Sequence, residues 1–129
     1  MADERDRVTV GVTPEGAGNL AALMDTGWFQ DEMDAYRLAI SIALAEGVDA
    51  DSVTGAQTKF NVGTLDRDGR LRQLVTALHD SAKPYELSER LANAGLQVLR
   101  RRIVDDQMTL TEALGIAAAT GGDADAPPQ

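Results

Sequence analysis

Asp31-Glu-Met-Asp-Ala-Tyr-Arg-Leu-Ala-Ile-Ser-Ile-Ala-Leu-Ala-Glu46 is the most apolar long run of the chain. At helical spacing Met33, Tyr36, Ile40 and Leu44 form one stripe, and Ala35, Leu38, Ala39, Ile42 and Ala45 cover most of the remainder. A helix that is apolar nearly all round has no face to give to water. Little chain precedes it to act as a cover, so the expectation is burial against a second copy of itself. Asp31 is placed to cap this helix, with Asp34 three residues on in a capping-box position. Gly47 is placed to close it.

Upstream, Arg7, Thr9, Gly11 and Thr13 alternate with Val8, Val10 and Val12, the pattern of a short half-buried strand. So short a strand must pair, and no second candidate appears until about residue 58, which makes a symmetry mate the economical partner. Thr13-Pro14-Glu15 then announces a helix through an N-cap hydroxyl, proline at the first helical position and an acid in the first turn. Ala17, Leu20, Ala21, Leu23 and Met24 supply its apolar face. Gly16 and Gly18 weaken it by about 1 kcal/mol each relative to alanine. Gly27 is placed to end it, and Trp28 with Phe29 to plug the corner before the next helix.

A family resemblance arises from this strand-helix-helix order. Val10-Gly11-Val12-Thr13-Pro14 resembles the strand-to-helix junction of the ribbon-helix-helix family, and Asp31 followed by Tyr36-Arg37-Leu38-Ala39 resembles the family's capped second helix. The resemblance covers residues 7–47, about a third of the chain. It implies an intertwined homodimer whose strands pair antiparallel and whose second helices cross beneath them, with Val8, Val10, Val12, Tyr36, Ile40 and Leu44 in the dimer core. In DNA-binding members of the family the ribbon enters the major groove, so the resemblance carries base contacts to Arg7, Thr9 and Gly11. The start of the second helix would hold a phosphate.

Two features of the residues run against DNA. Gly11 has no side chain to read a base, and Asp31, Glu32 and Asp34 crowd the position where a phosphate would sit. Over residues 1–50, Arg5, Arg7 and Arg37 face ten acids, a poor balance for neutralising phosphates.

Residues 48–57 read as a polar loop. Thr58 to Leu65 alternates weakly, as a short strand or an extended arm, and Asp66-Arg67-Asp68-Gly69 reads as a turn with a helix cap. The next helix runs from about Gly69 to His79 with Leu71, Leu74, Val75 and Leu78 at core spacing. Lys83-Pro84 starts another, to about Val104, and Thr109 or Thr111 caps a last one to Ala119. Arg100-Arg101-Arg102 falls at a helix C-terminus, where the dipole favours cations. With Arg67, Arg70, Arg72 and Arg90 it also offers a secondary basic surface for nucleic acid or an acidic partner. Residues 1–6 read as a flexible lead-in and 120–129 as a disordered tail.

Composition bounds the rest. The chain has 129 residues, 43% of them hydrophobic, with a net charge of −9, which suits one domain of modest core. It contains no cysteine, which excludes disulfides and thiolate metal sites and fits a reducing compartment. No run approaches the roughly 20 apolar residues of a membrane span, and the charged N-terminus lacks an apolar signal core; the expectation is a cytoplasmic protein with no membrane partner. Asp66-x-Asp68-Gly69 does not continue as a calcium loop, because Thr64 and Val75 stand where the opening and closing ligands belong. His79 is the only histidine, and neither a nucleophile elbow nor a phosphate loop is present. No cofactor is implied.

The fold class expected is mainly α (α+β): a ribbon-helix-helix-like dimerisation module over 7–47 with a helical extension over 58–119. The function expected is non-enzymatic. The leading form is a small dimeric DNA-associated accessory or regulatory protein, such as an operon regulator or a DNA-modification or phage-defence component. The alternative is a dimerising adaptor that holds a protein partner through its C-terminal helices without binding DNA.

Overall fold

The computed structural model describes residues 6–50 and 53–115. Along the chain run β1 (Thr9–Val12), α1 (Pro14–Met24), α2 (Glu32–Glu46), β2 (Gln57–Asn61), α3 (Val62–Leu65), α4 (Arg70–His79) and α5 (Pro84–Leu99), then a π-helical segment (Arg100–Asp105) and α6 (Leu110–Leu114). The fold is mainly helical, with one two-stranded antiparallel sheet formed by β1 and β2. No helix among the described residues is long and apolar enough to cross a membrane. The expected lead-in up to residue 5, the last part of the helix expected to reach Ala119, and the tail over 120–129 lie outside the described residues.

The helix ends follow local chemistry. Thr13 accepts a hydrogen bond from Gly16 N at 2.9 Å and Pro14 takes the first helical position of α1. Asp31 accepts from Asp34 N at 2.9 Å at the start of α2, and Gly47 closes α2 in the left-handed conformation, at φ 64°. Thr109 and Glu112 form a complete capping box on α6. Gly27 also lies in the left-handed region, but three residues past the last residue of α1, with Asp25 as the C-cap. Trp28 and Phe29 are half-buried and pack against the core, as a corner plug would.

The cover for α2 is α5 of the same chain. Ala35, Ala39 and Ala43 form a fully buried stripe on α2, and Leu91, Ala92, Leu96 and Leu99 are buried on α5. A Cβ on Gly95 would overlap the carbonyl group of Ala39. Alanine on one helix and glycine on the other therefore let the two backbones touch. The other face of α2 carries Tyr36 and Ile40, both fully buried. The Tyr36 ring meets Phe60 of β2 edge-on, with centroids 4.9 Å apart. The apolarity of α2 is thus accounted for within one chain, and the step from an uncovered helix to a second copy loses its premise. Of the residues expected in a dimer core, Val10, Val12, Tyr36 and Ile40 are buried in this single core, Leu44 is half-buried against it, and Val8 is 73% exposed.

The strand's partner also lies within the chain. Val10 pairs with Phe60 and Gly11 with Thr58, so Lys59 is left unpaired in a β-bulge. The Nζ of Lys59 lies 3.0 Å from Glu32 Oε1 in the first turn of α2. The opposite edge of β1 is closed by side chains rather than by a strand. Gly11 N donates to Glu89 Oε2 at 2.8 Å and Thr13 N to Asn93 Oδ1 at 3.0 Å. Gly11 O accepts from Tyr36 Oη and Asn93 Nδ2. Glu89 and Asn93, one turn apart on α5, thus supply the acceptors and donor that a third strand would.

Long-range caps lock the remaining elements. The Asp6 carboxylate accepts from Tyr85 N at 2.7 Å and Glu86 N at 3.0 Å, capping α5, whose own N-cap residue Lys83 makes no side-chain cap. Asp6, expected in a flexible lead-in, is therefore an anchored residue. Burial drives the Tyr36 hydroxyl far above its ordinary pKa, and burial with the Asp66 hydrogen bond pushes Tyr85 up to about 12. Both phenols must ionise on unfolding before they can ionise in the fold, so stability is complete below pH 10 and falls as the pH rises toward 12. Alkaline titration followed by circular dichroism should show unfolding in that window, moved to higher pH in Tyr85→Phe. Retention of the fold to pH 13 would contradict these environments.

Candidate functional site

The structure does not bring the residues expected to contact DNA into one outward row. Gly11 is buried, with its amide and carbonyl engaged as described above. Arg7 Nη1 pairs with the buried Glu89 Oε1 at 3.0 Å, and the Thr9 hydroxyl lies 3.4 Å from that of Thr58 on β2. At the start of α2, Asp31 already caps the helix, Glu32 pairs with Lys59, and Asp34 lies 3.6 Å from Arg37. That terminus is filled by the chain's own carboxylates.

The arginine run near the end of the long helix is likewise divided. Arg102 grips Glu46 through two short hydrogen bonds, of 2.6 and 2.7 Å, and donates to Ala113 O at 2.8 Å. It ties the end of α2 to the π-helical segment and α6, and this contact holds the Glu46 carboxyl below its ordinary pKa. Arg100 reaches Asn19 on α1 at 3.2 Å. Arg100 and Arg101 are both exposed, and of the three only Arg101 makes no side-chain contact among the described residues, so the run is divided between structural and free guanidinium groups.

A different element stands out. Among the described residues, the exposed large hydrophobics are Val8, Leu74 at 47% and Leu78 at 58%. Two are on α4, and Val8 lines the groove beside it. Between Gly69 and His79 the chain has no acid, yet it carries Arg70, Arg72 and His79. In a chain of net charge −9 this is a basic, apolar segment. Only Val75 of α4 is fully buried; Leu71 is half-buried, so the stripe at 71, 74 and 78 runs from the core edge into solvent. The spacing predicted a core-facing helix, whereas the structure buries only one turn's worth of it.

The exposed helix is nevertheless held in place. Asp66 accepts from Leu71 N at 2.9 Å, from Arg72 N at 3.0 Å and from Tyr85 Oη at 2.7 Å. One carboxylate caps α4 and fastens it to α5. Arg37 donates to Leu65 O and Thr64 O, bracing the end of α3 against α2. On one flank, a groove of about 280 Å³ is lined by Leu65, Leu71 and Leu74, by Arg37 and Arg70, and by Asp66 and Asp68. On the other, a groove of about 470 Å³ is lined by Val8, Val62, Arg72, Thr76 and Tyr85. Arg67 and Arg72 point no charged group at a carboxylate partner among the described residues, and Arg70 pairs only with the exposed Asp68.

The sequence held a signal for this surface: eleven residues without an acid in an acidic protein. Its periodicity masked it, because the same leucine spacing serves a buried helix. No protein-family model, curated protein or solved structure matches the chain.

Proposed function

We propose that the protein is a non-enzymatic adaptor whose α4 face docks an acidic amphipathic helix of a protein partner. The observation that carries this reading is a helix capped by Asp66, with Leu74 and Leu78 in solvent, Arg70 and Arg72 on it and no acid within it; the acids Asp66, Asp68 and Asp80 stand at its two ends. Apolar anchors recognised at helical spacing, with charge complementarity at the rim, describe helix-on-helix recognition. A second copy is a poor occupant, since two such faces would oppose arginine to arginine between bodies of net charge −9 each.

Burying each leucine fully is worth at most about 1.5–3 kcal/mol, so the pair supplies less than the roughly 8 kcal/mol of a micromolar complex, and binding rests on the charged rim as well. The test uses a fluorescent 18-residue helical peptide with a leucine stripe and glutamate flanks, the same stripe with lysine flanks, and a random-sequence DNA duplex. Anisotropy should rise only with the glutamate peptide, weaken with salt, and fall more than tenfold in Leu74→Glu/Leu78→Glu with the circular dichroism spectrum unchanged. Binding of the lysine peptide equally well, or of none of the probes, would refute the reading. Salt-dependent binding of the duplex alone would favour the DNA-associated function instead.

A further inference from the structure

The face of α4 is not uniform along its length. Arg70 and Arg72 lie in its first turn and Arg67 in the turn before it. From Gln73 to Leu78 there is no charged residue, and this half holds Leu74 and Leu78. Asp80 then ends the helix as an exposed C-cap in the left-handed conformation, at φ 50°. The other helices with more than one turn, α1, α2, α5 and α6, each place an acid in the first turn, where the helix dipole favours it. α4 places arginines there instead and a carboxylate at its far end, both against the dipole. Within α4 only His79 matches the dipole, and only when protonated.

The neighbouring groups do not erase this order. The Asp66 carboxylate is engaged by Leu71 N, Arg72 N and Tyr85 Oη. Asp68 lies 3.2 Å from Arg70, but both side chains are largely exposed, and such a pair is weak and screened. Three arginines thus face two carboxylates at the start of the helix, and Asp80 stands at its end. Lys83, the next cation, lies past the turn at the start of α5. Arg70 borders the groove that holds Leu71 and Leu74, and Arg72 borders the groove on the other flank, so the two straddle the leucine stripe.

On the basis of the acidic helix docked on α4 as proposed above, we infer that its acids form a block at one end of its apolar stripe. That end lies over Arg70 and Arg72, and the end over Leu78 is free of acid. Acids spread evenly along the flanks would place some beside Asp80, and like charges brought together across an interface count against a partner. α4 therefore selects by the order of the partner's charges as well as by their sign.

Two helical peptides of one composition test this. In one the glutamates precede the leucine stripe as a block, and in the other they are spread along its flanks. By anisotropy the block peptide should bind the wild type about fivefold more tightly than the flanked peptide. Asp80→Asn keeps a residue that tolerates the left-handed backbone and should make the two nearly equal by strengthening the flanked peptide. A nitroxide on the glutamate end of the block peptide should broaden the amide signals of Leu71 and Arg72 and spare those of Leu78 and His79. Equal binding of both peptides by the wild type, a difference unchanged in Asp80→Asn, or broadening centred on Leu78 would overturn the charge order and leave docking on α4 standing. Failure of both peptides to bind the wild type would remove the docking as well.

Discussion

Gly95→Ala should destabilise the protein by about 3 kcal/mol, the upper end of the cost of overpacking a close-packed core. The added methyl has no rotamer with which to escape, and it meets backbone rather than a flexible side chain, at the Ala39 carbonyl. Relief requires α2 and α5 to move apart, which opens the buried alanine stripe beside the contact. Gly18→Ala is the matched control. Gly18 is also in the interior of a helix, α1, but a Cβ there meets nothing within 4 Å. That change should stabilise by about 0.5–1 kcal/mol through helix propensity alone. Urea unfolding of both variants should therefore give opposite signs. Equal, small effects would show that α2 and α5 do not cross at backbone contact.

Glu89→Ala has the second largest expected effect, a loss of about 3 kcal/mol. Glu89 is 2% exposed and is the acceptor for the buried Gly11 amide as well as the partner of Arg7. Its removal leaves an amide without an acceptor inside the core and a guanidinium facing a void. Breaking one side of a buried pair costs about 3–5 kcal/mol, and Arg7, at 45% side-chain exposure, moderates this because water can reach it. Glu89→Gln keeps an acceptor for Gly11 and loses only the charge, so it should cost about half as much. Amide exchange read by nuclear magnetic resonance gives the local check: Gly11 N–H should lose protection in the alanine variant and retain it in the glutamine variant. A Gly11 amide equally protected in both would remove Glu89 from its place at the strand edge.

These two residues also mark where reading along the chain reached its limit. Gly95 follows Ala94 in a helix with ordinary apolar spacing, and nothing local distinguishes it from a tolerated glycine. Its role comes from a carbonyl 56 positions earlier. Glu89 looks like one more solvated acid among 21. Only the approach of β1 from 78 residues away makes it a core hydrogen-bond acceptor. Gly11 was conspicuous as a position with no side chain for reading a base, and the structure supplies a reason for that absence: a Cβ would overlap the Gln57 backbone across the bulge.

The sequence by itself determined several helix ends, although Val62–Leu65, read within a strand or arm, is helical, α1 stops before Gly27, and α5 takes its cap from the distant Asp6. Thr13-Pro14, Asp31 with Asp34, Gly47 and Thr109 with Glu112 fix helix boundaries through contacts within one turn, which need no tertiary information. The same locality made the run from Asp31 to Glu46 recognisable as a helix that must be buried. Tertiary structure alone decided what buries it. Amphipathic patterns state that a face needs a cover and carry no information on which chain or which helix provides it. A residue spacing of 71, 74 and 78 reads the same whether the leucines meet a core or water. The arrangement of α5 over α2 used up the core and left the far side of α4 to solvent, and that placement created the surface proposed here to bind a partner.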